Sequence, residues 1–150
     1  MNTFYKVTTA LYDTLKAKGF NVVTLGDQYK IDLARQTIFP YAHIIPDDSN
    51  ISGKIVNYSF RIMGMDLVDF SKKSNDSTFY GNDNMQDVLN DIHNRLNLVV
   101  EQFFRGDEFD NLIRLDGDYS LVAFVERFEN LLAGWELTIN IQIPSEATIC

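Results

Sequence analysis

The stretch Trp135-Glu-Leu-Thr-Ile-Asn-Ile-Gln-Ile143 alternates apolar and polar residues without a break. Successive side chains of a strand point to opposite faces, so this pattern demands a β-strand with one core face and one face that is wet or shared with a partner. A chain that carries such a strand must build a sheet around it. A second run, Lys54 to Asp69, alternates Val56, Tyr58, Phe60 and Ile62 against Asn57, Ser59 and Arg61. After Ile62 its apolar set changes parity to Met63, Met65 and Leu67. Either Gly64 marks a bulge that resets the facing, or the far end is covered on its other side as well. At about 3.3 Å per residue the run is about 50 Å long. A domain of this length has an expected diameter of about 38 Å. One end within 54–69 is therefore expected to project as an arm.

Helical periods frame these strands. Phe4, Val7, Leu11 and Leu15 are spaced 3, 4, 4 and draw one apolar stripe, with Asn2 or Thr3 as cap, Lys16 and Lys18 in the last turn and Gly19 as a left-handed stop. Met85, Val88, Leu89, Ile92, Leu96, Val99, Val100 and Phe103 keep the 3.6-residue period and predict a second helix over 84–105. Phe20–Leu25 and Tyr119–Val125 read as shorter strands. Thr37–Ile45 reads as another, on an edge or with an irregular start because of Pro40. Pro46-Asp-Asp-Ser-Asn50 reads as a turn, Ser71–Asn82 as a polar loop, Asp107–Gly117 as an acidic connection and Glu126–Ala133 as a turn or helical bend. The expected fold is α+β: one domain, 1–150, with a mainly antiparallel sheet and the N-terminal and long central helices packed on one face.

Composition narrows the function. The 21 acidic and 13 basic residues give a net charge of −8, which argues against binding nucleic acid by neutralising phosphates. Apolar residues make up 45% and the mean hydropathy is −0.14, which fits neither a disordered chain nor a membrane protein. Cys150 is the one cysteine, so no internal disulfide forms and a reducing compartment is expected. The N-terminal stretch has no signal-peptide core, and no membrane span is expected.

No catalytic motif stands out. A calcium loop starting at Asp116 needs Gly at its sixth position and Glu at its twelfth, where this chain has Leu121 and Arg127. Asp107, Glu108 and Asp110 read as a solvated acidic loop. Asp83, Asp87 and Asp91 form a stripe at i, i+4, i+8 that reads as a solvent face, with Asp91 four residues before Arg95. His43 and His93 have no partners at zinc spacing. Arg105-Gly-Asp107 spells an adhesion tripeptide but reads as a basic last turn, a glycine stop and an acidic loop. The expectation is therefore no enzyme, no cofactor and no metal.

In layout the chain resembles the tail-completion or tail-terminator proteins of tailed bacteriophages, small subunits of connector rings. The resemblance rests on Arg127-Phe-Glu-Asn-Leu-Leu-Ala-Gly-Trp135 running into the strand that ends at Pro144, and on Asn84-Met-Gln-Asp-Val-Leu-Asn-Asp-Ile92 opening the second helix. Similar rings stack below the portal in crAss-like phages, which infect gut Bacteroidetes. The resemblance implies a tail-terminator-like fold and a virion structural role at the neck or tail. Copies form a homo-oligomeric ring of six or twelve that joins head to tail or ends the tail tube. A portal or adaptor and tail-tube proteins are the implied neighbours, and DNA passes through the lumen without sequence-specific binding. The family has no active site, so it lends this chain no catalytic residue.

Six copies would carry −48, which repels phosphate from the lumen. Six spheres about 38 Å across enclose a hole of about 38 Å, and duplex DNA is about 20 Å wide. Twelve such spheres leave a hole of about 108 Å and would need elongated wedges. A ring needs two different adhesive surfaces on each copy. The spare apolar residues Met63, Met65 and Leu67, with Phe79 and Tyr80 in the polar loop, are the expected subunit interface; their alternative role is an ordinary core strand and a tucked loop. The other readings of the whole chain are a non-viral binding or adaptor module and an enzyme built on the acidic loop.

Overall fold

The computed structural model describes residues 3–26, 40–68, 85–105, 113–125 and 132–144. In order these form α1 (Thr3–Ala17), β1 (Val22–Leu25), β2 (Tyr41–Ser52), β3 (Ile55–Leu67), α2 (Met85–Arg105), β4 (Arg114–Leu115), β5 (Ser120–Val125) and β6 (Leu132–Pro144). The fold is α+β with one six-stranded sheet, in the order β1-β2-β3-β6-β4, and β5 also pairs with β6. The sheet is mixed. β1 runs parallel to β2, and the remaining pairings are antiparallel. A parallel pair needs a crossover of about a dozen residues, which the segment between Leu25 and Tyr41 supplies.

The first helix ends as its sequence prescribes. Gly19 takes φ 96°, Phe20 N–H donates to the Leu15 carbonyl (3.3 Å) and Gly19 N–H to the Lys16 carbonyl (3.1 Å). That is a Schellman stop, and its accompanying apolar pair is Leu15 and Phe20, both buried. The buried stripe is Val7, Ala10, Leu11, Thr14 and Leu15. Thr14 satisfies its hydroxyl by donating to the Ala10 carbonyl (2.7 Å). Phe4 is rotated off this stripe and is 38% exposed, yet its ring meets Tyr58 and Phe60 at 5.6 and 6.2 Å.

β3 pairs with β6 in unbroken register from Ile55↔Pro144 to Leu67↔Leu132. Gly64 is therefore no bulge, and the strand keeps its facing. Val56, Phe60 and Ile62 join Leu137, Ile139 and Ile141 in a large buried cluster with Val7 and Leu11 of α1 and Ile92, Leu96 and Val99 of α2. Met63 and Met65, of opposite parity, join Tyr41, Ile45, Phe124 and Leu132 in a second cluster. Both faces of this end of the sheet are thus buried, which explains the switch of apolar parity after Ile62.

Three boundaries differ from expectation. Pro46–Asn50 is no turn: it lies inside β2, which continues to Ser52. The register shifts between Pro46 and Asp48, so Asp47 is the extra residue of a bulge next to the proline. The hairpin turns later, at Gly53 with φ 61°. Pro46–Ser52 is exposed along its whole length, with Ile51 71% exposed near the tip. β4 falls within the stretch expected to be an acidic connection. The expected loop 71–82 and residues 126–131 of the expected bend lie outside the described residues, but the end of that bend, Leu132 and Ala133, is no turn: it opens β6, paired with Leu67 and Asp66 of β3. Neither helix is long and apolar enough to cross a membrane.

Candidate functional site

Register assembles a polar platform on the face of Arg61. Asn50 stands opposite Asn57, which stands opposite Gln142, which stands opposite Arg114. Asp48, Ser59 and Asn140 form the next row. Arg61, Thr138 and Ser120 form the third. Side chains facing each other across antiparallel strands lie within interaction distance. Asn57 Nδ2 donates to Asn50 Oδ1 (3.0 Å). The other amide atom, Asn57 Oδ1, is buried and has no hydrogen-bond partner among the described residues.

Arg61 is the hub of this face. Its Nε donates to Asp47 Oδ1 (3.1 Å) and its Nη1 to Glu136 Oε1 (3.3 Å). Burial works against its charge, but Asp47 and Glu136 more than offset that and raise its pKa above the ordinary arginine value. The bulge at Asp47 gives this carboxylate its position beside a strand pair that would otherwise carry it elsewhere. Counting Asp48 and Arg114, two guanidinium groups face three carboxylates here. The platform is rich in donors and acceptors without an excess of cations.

Beyond the platform, the second cluster continues the same face. Met63 and Met65 are 1% and 0% exposed, and Leu67 is half-buried against the cluster. Of the five expected interface residues, Met63 and Met65 therefore pack inside this chain and Leu67 does so in part, while Phe79 and Tyr80 lie outside the described residues. On the same side Thr24 Oγ1 is 2.5 Å from the Tyr41 hydroxyl and 2.6 Å from Nδ1 of fully buried His43. His93 packs edge-on against Trp135 at 5.1 Å.

Of the acidic stripe, Asp87 is exposed and Asp91 is half-buried in an ion pair, with Arg95 Nε donating to Asp91 Oδ2 (2.8 Å), while Asp83 lies outside the described residues. Arg95 also reaches across to donate to the Lys18 carbonyl (2.9 Å) at the end of α1. Among the described residues, no three His, Cys, Asp or Glu side chains converge to hold a metal. A groove of about 240 Å³ opens between α1 and the β1 side of the sheet, lined by Thr8, Thr9, Tyr12, Val23, Thr24, Leu25 and Ile44. The polar alternation at 57, 59 and 61 and at 138, 140 and 142 was visible in the sequence. That the two sets lie side by side is a property of register, and the Asp47 contact depends on a bulge.

The sequence matches no protein-family model and no curated protein.

Proposed function

We propose that this chain is a structural subunit of a tailed-phage virion. On this reading, copies close into a ring of six or twelve at the neck or tail end, joined to a portal or adaptor and to tail-tube proteins. DNA passes through the lumen, and the chain has no enzymatic activity. Both helices collect on the Phe60 face in the manner of tail-terminator proteins and turn outward, and the Arg61 face turns toward the lumen. The observation that carries this reading is the platform. Its rows of amides and hydroxyls bind water well, and its arginines are outnumbered by carboxylates, so it offers a passing duplex no cationic clamp. Among the described residues the sheet also has unlike strands at its two ends, as a head-to-tail ring requires.

The test has two parts. Native mass spectrometry of the purified chain is expected to give a closed oligomer. A symmetry-averaged image of the particle is expected to place that ring on the central axis, with the Arg61 face inside. A strict monomer with and without virion partners, or absence of the chain from the axis, overturns the proposal. The groove beside Tyr12 favours a second reading, a small-ligand or adaptor module. That reading predicts a monomer whose melting temperature rises on addition of ligand.

A further inference from the structure

The strand directions follow from the pairings: β1, β2 and β6 run one way, and β3, β4 and β5 run the other. The two lateral strands β1 and β5 are therefore antiparallel to each other. Each has a neighbour on only one side among the described residues.

Unpaired strand edges invite pairing with another chain, and proteins blunt them with proline, charge or bulges. β2 is blunted in this way. Beyond Ile44, where β1 stops, its outer edge carries Pro46, the bulge at Asp47 and the charges of Asp47 and Asp48. β5 has none of these devices. Ser120-Leu-Val-Ala-Phe-Val125 contains no charge and no proline, pairs with β6 without a bulge, and leaves Val122 56% and Val125 39% exposed. β1, Val22-Val-Thr-Leu25, is equally uncharged, with Leu25 46% exposed.

We propose that β5 is the docking strand for β1 of a second copy, joined edge to edge as an antiparallel pair. This junction rests on the ring reading and gives it an interface. Rotation about an axis along the strands brings the β1 of one copy beside the β5 of the next with the antiparallel sense already set. The contact uses a different strand from each copy, so it repeats around a ring. The sheets then run on from copy to copy, and the platforms line up on one side.

The test substitutes Val122→Lys on β5 and, as a control, Ile51→Lys at the exposed hairpin tip, and reads oligomeric state by native mass spectrometry beside far-UV circular dichroism. The V122K chain is expected to be a folded monomer and the I51K chain to keep the wild-type ring. A ring that survives V122K overturns the edge junction and leaves the ring reading standing. A monomeric wild-type chain overturns the ring reading itself. Should V122K fail to fold, cysteine pairs decide. In a Cys150→Ser background, Val122→Cys with Val22→Cys or Thr24→Cys, the β1 residues on the same face of the sheet, is expected to give an oxidised ladder of linked copies. Absence of the ladder from rings that have formed overturns the junction.

Discussion

Asp66 lies near the end of β3, within the electrostatic reach of Asp91 and Arg95 on α2. Burial raises its pKa above the ordinary aspartate value; the Leu67 N–H, which donates to its Oδ1 at 2.8 Å, lowers it, Asp91 raises it further and Arg95 lowers it. The net direction is upward, so the folded chain holds this proton more tightly than the unfolded chain does. The contribution of Asp66 to stability is then complete below the unfolded pKa and is lost as pH rises through the folded one. An Asp66→Asn chain should lack that loss. Urea midpoints measured across the acid range should show the difference between wild type and D66N growing with pH and then levelling off. A constant difference refutes the assignment. Nothing in the sequence marks Asp66, because its surroundings come from a helix that begins at Met85.

At the scale of elements, helix positions were legible because each carries its own period, and the first also its own stop. The Schellman ending at Gly19 and the Asp91–Arg95 pair are both local in sequence. Strand boundaries were less legible. Pro46-Asp-Asp-Ser-Asn50 has the composition of a turn, yet pairing with β3 carries β2 through it and the bulge absorbs the proline. β3 was harder still. Its even positions pass from Ile62 to Gly64, where a side chain would meet Ile92 Cγ2 at 3.0 Å and Phe20 Cζ at 3.1 Å, so the gap in the apolar pattern marks a crowded site. Gly134 on the neighbouring strand is more tightly constrained. A Cβ there would lie 1.9 Å from the Gly64 carbonyl oxygen and 2.9 Å from Met65 Cα, both rigid backbone of β3. Gly134→Ala must push the two central strands apart and is expected to cost about 3 kcal/mol. Gly53→Ala, at a hairpin turn with φ 61° and open space around it, should cost only about 1 kcal/mol. Chemical denaturation of the two variants tests that order.

For the molecule as a whole, the two buried clusters share β2 and β3, and β6 contributes to both. Neither cluster can be lost without cutting into a strand the other uses. Trp135, the only tryptophan, donates its indole N–H to the Leu89 carbonyl of α2 (2.8 Å), which ties helix to sheet. Unfolding in urea is therefore expected to be a single transition, with Trp135 fluorescence and far-UV circular dichroism coincident. An earlier fluorescence change would mean that α2 leaves the sheet on its own. The order of the elements adds a temporal constraint. Among the described residues, β6 stands between β3 and the two strands β4 and β5 but is the last strand in sequence, and β4 and β5 pair only with it. While a ribosome is still making residues 132–144, the sheet lacks its middle, and β3, β4 and β5 lack the strand they pair with. A nascent copy is therefore expected to stay prone to aggregation until this strand is complete.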